Sequence, residues 1–192
     1  MKPILFITGN KGKLREVCDI IPSVQGMDID LTEIQEIDAR KVIAAKLAEA
    51  QKYHQGSAMM VEDTSLYLDT MHGLPGPLVK WFLKAVGIDG VYKLAETFGS
   101  RATARTLIGY ADEDGAVHFF AGEIKGMIVS PRGTGGFGWD SLFQPDGQAK
   151  TFAEMTPEEK RPYSMRKIAV HQLCAFLAES LQMANKRSIR AD

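Results

Sequence analysis

With 45% hydrophobic and 24% charged residues in 192, the chain has ordinary globular composition, which excludes a disordered or fibrous polypeptide. Its 23 Lys and Arg against 24 Asp and Glu leave a formal charge of −1, which argues against a nucleic-acid binder driven by electrostatics. A small anion in a local cationic pocket remains compatible with that balance. No run approaches the roughly 18 apolar residues of a membrane span, and the opening apolar run is too short for a secretory leader. Cys18 and Cys174 form no CxxC pair, and a disulfide framework is out of place in a chain long enough to bury a core. The expectation is one domain of two lobes over residues 1–192, soluble and cytoplasmic, with neither nucleic acid nor membrane as partner.

Ile4 to Ile7 reads as a short buried strand. After the Thr8–Gly12 turn, Leu14, Val17, Cys18 and Ile21 recur at helical spacing, and Pro22 stops that helix. Met27 to Leu31 is expected to be a second strand. Asp38 can cap a helix whose apolar face is Ala39, Ile43, Leu47 and Ala50. Ala58 to Val61 is apolar and runs into Glu62, Asp63 and Thr64, after which Leu66 and Leu68 alternate with other residues. Gly73-Leu74-Pro75-Gly76-Pro77 makes a stiff loop, with Pro77 suited to the first turn of a helix bearing Lys80 to Leu83. A separate helix is expected over Asp89–Phe98. Ala102–Tyr110 and Val117–Val129 form a hairpin about Asp112–Gly115. Trp139–Phe143 is expected to be extended, and a long amphipathic helix from Met165 past Leu177 follows. Strand–helix alternation followed by an antiparallel meander predicts an α/β fold in two lobes, with a ligand cleft between them.

Thr8-Gly9-Asn10-Lys11-Gly12-Lys13 lies between a strand end and a helix start, where backbone N–H groups and the helix N-terminus suit a phosphate. It is not the Walker pattern GxxxxGK(S/T), so a plain βα turn is an equal reading. Gly133 to Gly138 fits GxGxxG, but a strand-like segment rather than a helix follows, which rules out dinucleotide binding of that kind. Phe137 and Trp139 are either a stacking platform for a base, with Asp140 reading its edge, or core aromatics. Glu62 and Asp63 sit at a strand end, where α/β ligand sites gather, and strand alternation allows one of the two to face a given cleft. They are either an ordinary strand end or, with Glu33, oxygen donors for Mg²⁺. Lys46 lies beside an apolar stripe, as a snorkelling side chain or a cleft cation. Lys80 stands near a helix start, where the dipole does not favour it. The four histidines, His54, His72, His118 and His171, show no ligand spacing, and no nucleophile signature stands out.

Taken together, these segments resemble the inosine triphosphate pyrophosphatase family, the Ham1-like or non-canonical purine nucleoside triphosphate pyrophosphatases. Thr8-Gly9-Asn10, Lys13 and Glu16 match its opening signature; Val61 to Thr64, Gly73 to Pro77 and Lys80-Trp81-Phe82 match its middle. Pro131-Arg132-Gly133, Phe137 to Asp140, and Phe152 to Met155 on to Lys160 match the remainder. The resemblance implies a homodimer of an elongated α/β fold, a mixed sheet with flanking helices and a nucleotide cleft. It implies hydrolysis of ITP, dITP and XTP to the monophosphate and pyrophosphate with Mg²⁺, Mn²⁺ substituting. By resemblance Glu33 and Asp63 would hold the metal, and Asp63 would activate water. Thr8, Gly9, Asn10, Lys11, Gly12, Lys13, Lys46 and Lys80 would bind the triphosphate, with Glu62 and Thr64 beside them. Phe137, Gly138, Trp139, Asp140, Lys160, Met165 and Arg166 would surround the base. Two positions depart from the family pattern: Met165 stands where a histidine is usual, and Ser141 where a proline is. The first keeps open a triphosphatase of altered base choice, and a non-hydrolytic nucleotide-binding regulator is the rival of another class.

Overall fold

The computed structural model describes residues 3–189. Met1 and Lys2, which open the short apolar run, lie outside the described residues, as do residues 190–192. The strands are β1 (Ile4–Ile7), β2 (Val24–Met27), β3 (Met59–Leu68), β4 (Pro75–Gly76), β5 (Arg101–Ala111), β6 (Val117–Ile128) and β7 (Phe143–Pro145). The helices are α1 (Lys11–Cys18), α2 (Ala39–Tyr53), α3 (Val79–Phe98), α4 (Pro157–Lys160) and α5 (Met165–Ile189). The seven strands form one sheet in the order β2-β1-β3-β5-β6-β7, with β4 paired to β3. β1 is parallel to β2 and β3, whereas the remaining pairs are antiparallel, so the sheet is mixed as expected.

Three apolar clusters account for the layering. Phe6, Met60, Ile108 and Tyr110 pack against Val17 of α1 and Ala169, Val170 and Leu173 of α5 on one face. Met59, Val61 and Leu107 pack against Ile43 and Leu47 of α2 on the other, as strand alternation requires. The far halves of β3 and β5 supply Leu66, Leu68, Ala102 and Ala104 to a third cluster with Val91 and Ala95 of α3, Phe143 and Phe152. Two helical packages thus share a continuous sheet, and a cleft opens between them.

Several boundaries differ from the sequence expectation. β2 ends at Met27 rather than beginning there, because its ladder with the four-residue β1 closes at Ile7↔Met27. Residues 28–36 then run as irregular chain. α1 stops at Cys18, before the turn that carries Ile20 and Ile21. Pro77 precedes α3, which starts at Val79 after Leu78. The two helices expected over 80–83 and 89–98 are present as the two helical segments of α3, separated at Gly87, whose φ of 71° no helix residue adopts. Trp139–Leu142 is a turn, and the extended segment is Phe143–Pro145.

Candidate active site

The cleft has a volume of about 1220 Å³, at or above the roughly 300–1,000 Å³ usual for small-molecule sites. Its position follows from strand lengths. β1 pairs β3 as far as Phe6↔Met60, and β4 joins only at Leu66↔Gly76. Between these points Val61 to Ser65 form free strand edge on that side, and the cleft wraps around it. Glu62 and Asp63 therefore both line the same cleft, although their side chains leave opposite faces of β3. The expectation that one of the pair could face it assumed a strand covered on both edges, and is corrected.

On one side of β3, Glu62 is the centre of a buried ion cluster. Arg166, in the first turn of α5, donates to both its carboxylate oxygens at 2.7 and 3.0 Å, and Lys13 of α1 lies 2.8 Å away. Arg166 also donates to Glu16 at 3.0 Å, as does Ser164 at 3.2 Å. Burial alone would raise the Glu62 pKa, but the charges of Arg166 and Lys13 outweigh it and hold it down at about 2. Burial works against the Arg166 cation too, but the Glu62 and Glu16 carboxylates outweigh it and raise its pKa above the ordinary value. On the other side of β3, Ser65 donates to Asp63 at 2.5 Å. Burial pushes the Asp63 carboxyl above its ordinary value; the Ser65 hydrogen bond and Lys46 oppose this, and Glu33 adds to it. Lys46 of α2 and Lys80 of α3 both donate to Glu33, Lys80 at 3.1 Å. Burial would raise Glu33, yet these two lysines hold it below its usual range.

Asn10 shapes the first turn by accepting from the N–H groups of Gly12 and Lys13 at 2.9 and 3.0 Å, while Thr8 accepts from Asn10 N–H at 3.1 Å. Asn10 and Lys13 reach the cleft; Thr8, Gly9, Lys11 and Gly12 are not among its lining. Thr8 and Gly12 serve the turn through the hydrogen bonds just given, and a Cβ on Gly9 would lie 2.7 Å from the Asp28 carboxylate. Thr64 lines the cleft with its cross-strand partner Thr106, 3.2 Å away.

Another stretch of the wall is apolar and aromatic. Trp139 is buried against Phe143 and Phe152, so it is core and cleft lining at once, whereas Phe137 is 64% exposed at the rim. Asp140 accepts from Phe137 N–H at 3.1 Å and pairs with Lys160 at 2.7 Å. It folds beneath the glycine loop because a Cβ on Gly136, whose φ is 73°, would lie 2.1 Å from its carboxylate. Its carboxylate thus braces the loop. Lys160 lies 4.6 Å over the Phe152 ring, and Gly138 and the nearly buried Met165 complete the wall. Sequence reasoning gave no role to Glu16, Ser65 or Thr106. Ser65 had a readable signal, since it stands two residues from Asp63 on the same strand face. Glu16 and Thr106 reach the site only through long-range pairing.

As donors for a metal, Glu33 and Asp63 offer hard carboxylate oxygen in one cleft. Among the described residues no group of three or more His, Cys, Asp or Glu could cage an ion. That set fits a cation such as Mg²⁺, which takes one or two carboxylates and completes its shell with water and phosphate oxygen.

Comparison with known proteins agrees with this architecture. The Ham1 family model matches residues 4–176. The chain is 43% identical to the inosine triphosphate pyrophosphatase of Schizosaccharomyces pombe, covering 92% of this chain and 96% of that one. It is 41% identical to the enzyme of the same name from Kluyveromyces lactis, over 91% and 95%. A solved nucleoside-triphosphatase, or dITP/XTP pyrophosphatase, from Mycobacterium abscessus superposes with a TM-score of 0.73 at 26% identity, covering 89% of this chain and 98% of that one. On sequence and on fold alike, the chain belongs to the Ham1 family.

Proposed function

We propose that the chain is a Mg²⁺-dependent pyrophosphatase that hydrolyses ITP, dITP and XTP to the monophosphate and pyrophosphate, clearing such nucleotides from the cytoplasmic pool as a homodimer. The observation that carries this reading is that Lys13, Lys46 and Lys80 line one cleft together with Glu33 and Asp63 and with the aromatic side chains of Phe137, Trp139 and Phe152. A nucleoside triphosphate likewise joins a polyanion to a flat ring. The relatives named as inosine triphosphate pyrophosphatases support the substrate class, and the dimer and the compartment rest on the family likeness.

In this reading the three lysines offset the charge of the polyphosphate and of the departing pyrophosphate. Glu33 and Asp63 would hold a divalent cation, which would supply further charge neutralisation and Lewis acidity when bound. Asp63, its affinity for a proton raised by burial, accepts a proton from the attacking water as the α–β anhydride bond breaks. Lys160 and Arg166 address the base while keeping their carboxylate partners, since Lys160 has three donors for its one bond to Asp140 and Arg166 has five for its three bonds to Glu62 and Glu16. A 6-oxo purine offers them an acceptor; adenine offers a donor there and leaves them unpaired, which is the source of selectivity. Met165 has only a weak thioether acceptor and contributes shape rather than a strong hydrogen bond.

The variant Asp63→Asn tests the assignment of the base. It is expected to lower kcat about 10²–10⁴-fold while still binding ITP by calorimetry. A near wild-type kcat contradicts the assignment.

A further inference from the structure

All three lysines assigned to the polyphosphate are already paired with a carboxylate of the chain itself, Lys13 with the buried Glu62 and the other two with a single shared partner, Glu33. Glu33 accepts from Lys46 through one oxygen and from Lys80 through the other, so its charge is shared between α2 and α3. Those helices belong to different apolar clusters, and the bridge crosses the cleft between them. The irregular segment that carries Glu33 is fastened to α2. Thr32 N–H donates to Glu49 at 2.8 Å, and Glu36 accepts from the N–H groups of Ile37 and Asp38 and pairs with Lys41 at 3.2 Å. Glu33 is therefore delivered to Lys46 by its own loop, whereas Lys80 reaches it from the opposite wall with a side chain 71% exposed. Such a solvated pair is weak enough to exchange. A side recess of about 200 Å³ beside Glu33, Lys46 and Lys80 gives the carboxylate room to turn.

We propose that Glu33 is a built-in competitor for polyphosphate: the incoming phosphates take Lys46 and Lys80 from it, and the released carboxylate becomes available to the divalent cation. This rests on the pyrophosphatase reading and adds to it a coupling between two ligands. Polyphosphate binding frees the metal donor, and by thermodynamic reciprocity metal binding frees the lysines. The bridge also makes the metal site weak until a polyanion arrives, so the cation is taken up with the nucleotide.

Calorimetric titration of inorganic tripolyphosphate in excess EDTA tests one half, with wild type, Glu33→Gln and the charge control Glu36→Gln. Glu36 also lines the cleft, but its lysine partner is Lys41. Loss of the competitor is expected to tighten tripolyphosphate about three- to tenfold in Glu33→Gln, with Glu36→Gln within about twofold of wild type. Binding of Mn²⁺ alone, followed by electron paramagnetic resonance, tests the other half. Lys80→Gln is expected to tighten it about threefold, and Lys84→Gln, on the same helix but outside the bridge, to leave it unchanged. Glu33→Gln binding no tighter than wild type, or Glu36→Gln gaining as much, overturns the competition. Mn²⁺ affinity unmoved by Lys80→Gln overturns the coupling. Either result with ITP hydrolysis intact in the wild type leaves the pyrophosphatase reading standing. Tripolyphosphate bound by no variant overturns both.

Discussion

Glu62 and Glu33 each stand between two cations of the same cleft, on opposite sides of β3. The Glu62 side chain is 2% exposed and Arg166 10% exposed, whereas Glu33 is 35% and Lys80 71% exposed. Burial makes the first cluster a fixed part of the fold, since a charge removed from water must keep its partners. Solvent makes the second exchangeable on its Lys80 arm, because water can replace that partner at little cost; Lys46, 12% exposed, has to be given another anion instead. The cleft thus has a rigid side, where α1, β3 and α5 are clamped together, and a labile side facing the proposed phosphate site. A nucleotide enzyme needs both: one side to keep its shape, the other to trade partners during turnover.

The sharpest way to break this contrast is to remove each carboxylate in turn. Glu62→Gln leaves the buried Arg166 charge with the partly exposed Glu16 alone and is expected to destabilise the fold by about 3–5 kcal/mol in chemical denaturation. An effect below 1 kcal/mol would mean that water reaches the cluster. The same clamp sets the acid behaviour. The Glu62 pKa is depressed from 4.5 to about 2 on folding, so its contribution is fully present above about pH 4.5 and is lost as pH falls towards 2. Linkage puts that loss on the order of 3 kcal/mol. Denaturation curves from pH 6 to 2 should show the loss in wild type and a flatter profile in Glu62→Gln; equal slopes would contradict the buried clamp. The smallest effect belongs to the labile side. Glu33→Gln should change stability by less than about 1 kcal/mol, and a loss as large as that of Glu62→Gln would erase the distinction.

How far the sequence carried this account depended on the range of each interaction. An apolar run followed by alternating leucines placed β3, the turn at Asp112–Gly115 placed β5 and β6, and helical spacing placed α2 and α5, because those signals are local. Asp38 was recognisable as a cap for the same reason, and it accepts from Arg40 N–H at 2.9 Å. β2 was misplaced because Met27 to Leu31 is as apolar as Val24 to Met27, and only pairing with β1 decides between them. The chemistry of Glu62 and Asp63 was half legible: the sequence pointed to a ligand site there but put it at a strand end, whereas β3 runs on to Leu68 and holds both in its middle. Their access to one cleft depends on the free edge left between β1 and β4, which local pattern cannot express. The Glu16–Arg166 contact, separated by 150 residues, gave no local signal, nor did the capture of Glu33 by two lysines from separate helices. Lys46 and Lys80 were singled out for being oddly placed on their helices, and their shared carboxylate explains what holds them there.

The most direct test of the account is pyrophosphate release by the wild-type protein from ITP, XTP, GTP and ATP, each with Mg²⁺ and with excess chelator. The account predicts release from ITP and XTP that depends on the cation, with ATP cleaved at least about tenfold less efficiently in kcat/KM, the discrimination expected when donors are left unpaired. ATP cleaved as well as ITP, or full activity in chelator, would contradict it.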